Sequence, residues 1–453
     1  MSNGEKHMNV NRRTFVKNTA LAGISIAAAG KLFGQDAPSN TVRLAVMGCH
    51  KGGRGFGLMK TAMADKGVEI AAVCDVDSRA LAAATEEVEK ASGKKPRADA
   101  DIRRLLEDKN IDGVICAAPD HWHAPAALMA MKAGKAIYVE KPVSHNPREG
   151  EILIEAAKQY NAIFQVGTQR RSAPVYHQVV KDIKGLIGEP RFARCWYARR
   201  RGPIGKGKVV PVPDWLDWEL WQGPAPRREF LDNIVHYEWH WRWHWGTGES
   251  GNNATHTLDV ARWLLGVDYP QRVTSGGGRL FYEGDDWEAY DMQTATFEFP
   301  GRKFVTWEGH SSLDNNMPYG LGVGLIVYGL DGAILVESDT VCKQFDKKGK
   351  EVNKWTSQNA TEGYDPTNSV NPTAALDPLH LGKWLSCIRA KSVATAATAD
   401  IAHKSTLLTH LANIAQRTGE TIRLDPATGQ LTADSPGKEL WARAYEKGWE
   451  MTV

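Results

Sequence analysis

The stretch VRLAVMGCHKGGRGFGLMKTAM, residues 42–63, begins with a short apolar run and passes through a cluster of glycines. An amphipathic segment with helical spacing follows the glycines. The next apolar run, VEIAAVC at 68–74, ends immediately before Asp75. Strand, glycine-rich turn, helix, strand and terminal acid are the parts of a dinucleotide-binding unit. We therefore predict a doubly wound α/β domain of the Rossmann type at this end of the fold.

The glycines and the acid predict how a cofactor is held. Gly48, Gly53 and Gly55 let the backbone approach a pyrophosphate at the helix N-terminus. Asp75 is placed to accept both ribose hydroxyls, which favours NAD, whereas Arg79 offers a clamp for a 2′-phosphate, so NADP stays open. The turn is about two residues longer than the standard G-x-G-x-x-G form.

The alternation of helices and strands continues to about residue 140. The turn from strand to helix at 119–123 contains Pro119, Asp120 and His123. In a doubly wound sheet such turns lie at the carboxyl edge of the strands. We expect Pro119 and His123 beside the cofactor, together with Glu140 and Lys141 at the end of the strand AIYV.

Four stretches carry a family resemblance. DHWHAPAALMAMKAGKAIYVEKP (120–142) contains Glu-Lys-Pro and runs on into VSHN. LDWELWQGPAP (216–226), THTLDVARWLLG (255–266) and the helical HKSTLLTHLANIAQRTGETI (403–422) follow it. Together they resemble the glucose–fructose oxidoreductase / inositol dehydrogenase / rhizopine catabolism (Gfo/Idh/MocA) family. The resemblance implies a Rossmann domain at 39–164. It also implies an α/β domain at 165–453, with a large open, mainly antiparallel sheet, C-terminal helices and a face that forms homodimers or homotetramers.

The resemblance also implies the chemistry. His256 acts as general base on a substrate hydroxyl, and Lys141 donates to the same oxygen. Asp259, three residues after His256 on one helix, orients the site or contacts a ligand. Many family members have an aspartate where this chain has Asn252, which can hold a hydroxyl but cannot accept a proton.

The segment HYEWHWRWHW (236–245) has four tryptophans and three histidines, with a period of two that is typical of strands. Aromatic faces and polar tips suit a sugar. We expect the segment to join the second sheet and in part to line the substrate site, with Trp243 either there or in the core. Arg170 is a further substrate candidate, for which surface and core positions stay open.

The first 38 residues predict a leader. Arg12 and Arg13 precede Phe15, Lys17 and a mild apolar run, which is the pattern of a twin-arginine export signal. We expect cleavage near residues 35–39, a periplasmic protein, and a cofactor that is bound tightly because it is loaded before export. No later stretch is apolar enough to span a bilayer, so no membrane span is expected in the mature chain.

Composition excludes some partners. The net charge of +3 and the absence of a basic stripe exclude a nucleic-acid reading, and sixteen tryptophans favour a small-molecule carbohydrate cleft. The six cysteines form no C-x-x-C and no metal-ligand spacing, so we expect buried free thiols and no metal.

Three functions remain open at this stage. The first is an exported NAD(P)-dependent oxidoreductase that moves hydride between a nicotinamide and a ring hydroxyl or ketone of a sugar, glycoside or polyol. The second is an NAD-dependent glycoside hydrolase that oxidises the ring transiently. Lys141 favours the first function, and Asn252 favours the second. A non-catalytic sugar-binding protein is the third, and the presence of Lys141 and His256 speaks against it.

Overall fold

The computed structural model describes residues 41–312, 320–357 and 374–453. The predicted leader at 1–38 lies outside these residues. In the described part, the first half of the fold contains a sheet of six parallel strands. The apolar runs that the sequence predicts as strands form four of them, since buried parallel strands are apolar on both faces. The short strands at Arg97–Asp99, which is polar and mostly exposed, and at Phe164–Val166 were not predicted. The six strands are β1 (Val42–Met47), β2 (Val68–Cys74), β3 (Arg97–Asp99), β4 (Gly113–Cys116), β5 (Ala136–Val139) and β6 (Phe164–Val166). Their order is β3-β2-β1-β4-β5-β6, so the chain reverses direction across the sheet between β1 and β4.

Five helices connect these strands. They are α1 (Arg54–Met63), α2 (Ser78–Ser92), α3 (Ile102–Leu106), α4 (Asp120–Lys132) and α5 (Pro147–Gln159). Asp77 caps α2 by accepting from the backbone N–H groups of Arg79 and Ala80, and Asn146 caps α5. Helix α1 begins after Gly53 and has no side-chain cap. Its first N–H groups therefore have no side-chain acceptor within the chain.

The second sheet has nine strands. They are β7 (Pro190–Ala198), β8 (Arg272–Gly278), β9 (Met292–Phe299), β10 (Lys303–His310), β11 (Val323–Gly329), β12 (Gly332–Ser338), β13 (Val341–Asp346), β14 (Glu351–Thr356) and β15 (Ile422–Arg423). Their order is β14-β13-β12-β11-β7-β10-β9-β8-β15. Only β7 and β10 pair in parallel, so the sheet is mainly antiparallel, as expected.

The helices of the second half are α6 (Pro174–Lys181), α7 (Ile183–Ile187), α8 (Trp218–Gln222), α9 (Thr255–Leu265), α10 (Asp377–Ala390) and α11 (Ala399–Thr418). Helices α6, α7, α9 and α11 cover one face of the second sheet. Alternate residues of β9 and β10, among them Phe297 and Trp307, turn towards α9 and α11 and form the main core with Leu258 and Leu411. The sheet thus holds α9 in a fixed position beside the first domain.

The two halves of the fold share elements across the predicted domain boundary at 164/165. That boundary falls inside β6, which pairs with β5. Helix α10 then returns to the first sheet, where Leu381 and Trp384 pack with Leu44 and Leu58. The two halves are therefore interlocked by packing, and the first sheet depends on a helix from late in the chain.

Other predictions about local structure have mixed outcomes. The six cysteines are buried and free, which confirms the prediction. The strand predicted for 236–245 is wrong, because residues Glu238–Trp241 form a 3-10 helix between turns. In the described parts of the chain, no helix is both long and apolar enough to cross a membrane.

Candidate active site

One cleft lies at the carboxyl edge of the first sheet. The turns that follow β1, β2, β4 and β5 form one wall, and residues of the second half form the other. Of the residues predicted for the site, those that line the cleft are Gly48, Gly53, Asp75, Pro119, His123, Glu140, Lys141, Asn252 and His256. Ligands of open α/β sheets bind at this edge, near the point where the strand order reverses.

The turn after β1 fits a dinucleotide phosphate. Gly48 has φ +79°, and a Cβ there would lie 2.5 Å from the carbonyl oxygen of Ala117. A Cβ on Gly55 would overlap the carbonyl oxygen of Gly48, so Gly55 allows close packing of the turn but does not line the cleft. Gly53 precedes the uncapped N-terminus of α1, whose N–H groups and dipole suit a pyrophosphate.

Asp75 is fixed at the end of β2. Its carboxylate accepts from the backbone N–H of Cys49 at 2.8 Å and of Asp77 at 3.0 Å. Burial raises the pKa of Asp75, although these two hydrogen bonds oppose the change. The carboxylate keeps free acceptor positions towards the cleft, which suits the two hydroxyls of a ribose.

Arg79 does not face the cleft. Its guanidinium donates to Asp77 at 2.8 and 3.0 Å, and its Cζ lies 3.5 Å from the ring centroid of Trp215. The predicted clamp for a 2′-phosphate is therefore engaged elsewhere. This arrangement, together with Asp75, fits NAD better than NADP.

Glu140 belongs to a buried ion network. Arg54 Nε donates to Glu140 at 2.8 Å, and the other two guanidinium nitrogens of Arg54 donate to Asp377 at 2.5 Å each. Gln169 also donates to Glu140 at 2.9 Å. Burial alone would raise the pKa of Glu140, but Arg54 and Lys141 together outweigh burial and lower it. The network ties the start of α1 to the turn after β5 and to α10.

Lys141 is positioned by Asn252. Its Nζ donates to the backbone oxygen of Asn252 at 2.6 Å and to its side-chain oxygen at 3.1 Å. His123 contacts the carbonyl oxygen of Pro142 through Nδ1 at 2.6 Å and so supports the same turn. Burial lowers the pKa of Lys141, and the charge of Glu140 opposes the change.

His256 lies in the first turn of α9, directly after a π-helical turn at Ser250–Ala254. It is buried, and its Nδ1 has no hydrogen-bond partner among the described residues. Burial, and then the charge of Lys141, hold the pKa of His256 well below its usual value. The imidazole is therefore neutral near pH 7, which leaves it able to accept a proton or a hydrogen bond.

No carboxylate supports His256 from the position of Asn252. Glu249 does not take that place, because it accepts from Arg201 at 3.2 Å and from Asn253. Lys141 and a neutral His256 therefore face the cleft without the aspartate that many family members have at the position of Asn252.

Besides Gly55 and Arg79, three predicted site residues do not line the cleft. Asp259 is fully buried, and its carboxylate accepts two hydrogen bonds of 2.8 Å from Arg171 away from the cleft. Arg170 pairs with Asp339 at 2.9 Å. Trp243 packs on the cluster of Trp241 and Trp287, with Arg417 over its ring.

The segment 236–245 serves both core and cleft. Trp239 and Trp245 join an aromatic cluster with Trp218 and Trp221, while Trp241 stacks on Trp287 at 4.1 Å. The residues of the segment that line the cleft are His236, Tyr237, Trp239 and His240. The strand prediction fails because successive rings of a 3-10 turn point to separate clusters, whereas those of a strand alternate between two faces.

Sequence reasoning missed several lining residues. They include His50, Asp101, Gln169, Tyr237 and Asn253. The extra length of the glycine-rich turn pointed to His50, and the density of rings pointed to Tyr237. No cluster of three or more metal-ligating side chains is found within the described ranges.

Comparison with known proteins gives a consistent result. Residues 42–168 match the model of an oxidoreductase family's NAD-binding Rossmann fold, and residues 220–422 match that family's C-terminal alpha/beta domain. A scyllo-inositol 2-dehydrogenase (NAD(+)) of Bacillus subtilis (strain 168) is 27% identical over 239 residues, covering 52% of this chain and 58% of that protein. A glycosyl hydrolase family 109 protein of Stenotrophomonas maltophilia (strain K279a) is 39% identical over 138 residues, covering 28% of this chain and 29% of its own.

A solved structure supports the fold. Levoglucosan dehydrogenase, in complex with NADH and levoglucosan, superposes with a TM-score of 0.64 at 17% identity, covering 84% of this chain and 99% of its own. The chain thus spans nearly the whole of this structural neighbour. It spans 58% or less of the length of the two relatives compared by sequence.

Proposed function

Because the chain belongs to the Gfo/Idh/MocA oxidoreductase family, we propose that it is an NAD-dependent oxidoreductase acting on a ring hydroxyl or ketone of a sugar, glycoside or polyol. The observation that carries the proposal is the placement of Lys141. Its ammonium group is held by two oxygens of Asn252 at the carboxyl edge of the first sheet, in the same cleft as the glycine-rich turn and His256.

Lys141 and His256 act on the same substrate hydroxyl in different ways. A bound nicotinamide supplies the hydride acceptor or donor. Lys141 donates a hydrogen bond to the reacting oxygen and stabilises the negative charge that develops there. His256, neutral because of burial and the nearby ammonium, accepts the hydroxyl proton. Asn252 keeps the lysine in place, since its oxygens accept two of the three ammonium hydrogens.

The lining of the cleft supports a carbohydrate substrate. Tyr237, Trp239 and His240 line it near Asn252, and the rings of Trp239 and His240 stack at 3.6 Å. Such rings offer apolar faces to the C–H groups of a sugar. The name of the Bacillus relative, and the ligand of the levoglucosan dehydrogenase structure, support the same class of substrate.

Asn252 supports a second candidate, an NAD-dependent glycoside hydrolase. Without a carboxylate beside it, His256 gains no charge partner when it takes a proton. That arrangement suits a reaction that returns the proton within the same site. Transient oxidation of a ring hydroxyl, elimination of the aglycone, addition of water and re-reduction form such a reaction. The similarity to a glycosyl hydrolase family 109 protein also favours it.

We further propose that the protein is exported to the periplasm by the twin-arginine pathway and carries its cofactor with it. The support is the sequence around Arg12 and Arg13. Since a periplasm supplies no pool of free nicotinamide cofactor, the bound nucleotide must be regenerated in place. A homodimer or homotetramer is the assembly that the family resemblance implies.

One experiment tests the reaction. The purified protein is denatured and the released nucleotide is identified, and we expect NAD or NADH. The native protein is then incubated with a panel of glycosides and polyols, with Lys141→Met as the matched control. Loss of two hydrogens from the substrate supports the dehydrogenase, and release of sugar and aglycone supports the hydrolase. A protein that binds no nucleotide contradicts both.

A further inference from the structure

The long glycine-rich turn is unexplained by phosphate binding alone. Cys49, His50 and Lys51 separate Gly48 from Gly52, and the N-terminus of α1 begins only after Gly53. Gly48 and Gly53 already provide the close backbone approach. The side chain of His50 lines the cleft, so the additional residues bring a ring to the rim.

A segment of the second half crosses the first domain at the same place. We call residues 209–236 the strap. Its backbone pairs with the residues after β2, since Ser78 N donates to Trp215 O and Asp217 N donates to Val76 O, both at 2.9 Å. Asp77 and Leu216 form the antiparallel bridge between these two bonds. The strap is thus joined to the rim that follows Asp75.

Side chains reinforce this junction. His236 Nε2 lies 2.9 Å from Asp77 Oδ2, and Asp77 is buried. The ring of His236 stacks on the ring of His50, with centroids 4.3 Å apart and planes 24° apart. Trp215 also stacks on His236, with ring centroids 5.7 Å apart, and the guanidinium of Arg79 lies over the ring of Trp215. The strap and the glycine-rich turn therefore meet through two stacked rings.

The strap is held down by its own apolar core. Leu216, Trp218, Phe230 and Ile234 are buried in one cluster, and Val76 of the first domain packs against it. Opening the whole strap would expose these side chains to water. The contact between His50 and His236 is the part that can open at lower cost, because it consists of one stacked pair.

The rings of His50 and His236 line the cleft together with Asp75, so the adenosine half of a bound dinucleotide would lie beside them. Asp75, the predicted ribose acceptor, lines the cleft beside them, as do Ala100 and Asp101 after β3. We propose that His50 and His236 form a ring clamp that encloses the adenosine half of the dinucleotide and retains it through successive turnovers. The clamp rests on the proposed function, since it requires that the cleft binds a nicotinamide dinucleotide.

The test measures release rather than activity. The full-length protein is loaded with NADH and mixed with excess NAD. Loss of energy transfer from tryptophan to NADH then reports the dissociation rate constant. His50→Ala removes one ring and leaves the contact between His236 and Asp77 intact. We expect dissociation about 10-fold faster in His50→Ala and about 10- to 100-fold faster in His236→Ala, from the loss of a ring pair and of a hydrogen bond to a carboxylate.

The double variant separates a clamp from two independent contacts. Because the two rings contact each other, removing the second ring should add little once the first is gone. The double variant should therefore release NADH at no more than about twice the rate of the faster single variant. His244→Ala is the matched control, since this histidine follows the strap, bonds to Pro226 O at 2.7 Å and does not line the cleft. It should release NADH at the wild-type rate.

The outcomes distinguish the two proposals. If the wild type binds NADH and both single variants release it at the wild-type rate, the clamp is wrong and the proposed function stands. Multiplied rates in the double variant also overturn the clamp, because they show independent contacts. A wild type that binds no NADH or NAD removes the proposed function, and the clamp with it.

Discussion

Replacement of Arg54 by methionine is expected to remove the guanidinium to which two buried carboxylates, Glu140 and Asp377, are bonded. The side chains of Glu140 and Asp377 are 5% and 3% exposed, and Arg54 donates to both. Removal of one partner from a buried ion pair costs about 3–5 kcal/mol, because an uncompensated charge stays in the interior. We expect the free energy of unfolding to fall by about that amount at pH 7.5.

The way in which the loss of stability changes with pH follows from the pKa of Glu140. In the wild type the pKa of Glu140 is lowered, so its contribution to stability is present above the unfolded pKa of about 4.3 and is lost as the pH falls through the folded value. In Arg54→Met, burial acts without the guanidinium and raises the pKa of Glu140. The folded variant then takes up a proton that the unfolded chain does not bind until lower pH. The decrease in the free energy of unfolding caused by Arg54→Met should therefore be smaller at pH 5 than at pH 7.5.

Urea unfolding, followed by tryptophan fluorescence and circular dichroism, measures this decrease at both pH values. Arg389→Met is the matched control, because Arg389 also joins α10 to the first domain but pairs with Asp65 at side-chain exposures of 34% and 33%. An exposed pair of this kind contributes about 0–1 kcal/mol. The reasoning would be refuted if Arg54→Met and Arg389→Met lost the same free energy of unfolding, or if the loss in Arg54→Met were larger at pH 5 than at pH 7.5.

Three further predictions follow from the site and the leader. Lys141→Met should lower turnover about 10²–10³-fold and His256→Ala about 10²–10⁴-fold, and the double variant should lose far less than the product; multiplicative losses on the active glycoside would speak against a shared hydroxyl. Asp75→Ala should weaken NAD by about 1.5–3 kcal/mol and NADP by less, as measured by calorimetry; unchanged NAD affinity would place Asp75 away from the ribose. Arg12→Lys with Arg13→Lys should keep the chain in the cytoplasm without changing its activity there; continued appearance in the periplasmic fraction would contradict the proposed route.

Much of the first domain follows from the sequence. The apolar run before Gly48 and the acid after β2 predict the strand, turn and helix, because buried parallel strands are apolar on both faces and glycine permits the turn. The packing of α10 does not follow in the same way. The apolar residues Leu381 and Trp384 indicate that the helix is buried but not which sheet it covers.

The central residues of the site follow from the family resemblance together with the chemistry of their side chains. Lys141, Asn252 and His256 meet in the cleft as expected. Asp259 does not, since a residue three positions along a helix is turned by about 60° from its neighbour's direction, and here that rotation directs the carboxylate to Arg171. Trp243 shows a second kind of failure, because the density of aromatic rings in a sequence does not tell which rings line a cleft and which fill a core.

The return of α10 to the first sheet has a consequence for how the protein is made. Leu44 leaves the ribosome more than 300 residues before its partners Leu381 and Trp384. Contacts so far apart in sequence form slowly, because a long chain must close first. The nascent first domain therefore stays incomplete until synthesis has passed residue 390. If transport selects folded cargo, as the proposed route does, this chain becomes cargo only after residue 390 has been synthesised, when Asp377 can close onto Arg54 beside the nucleotide cleft.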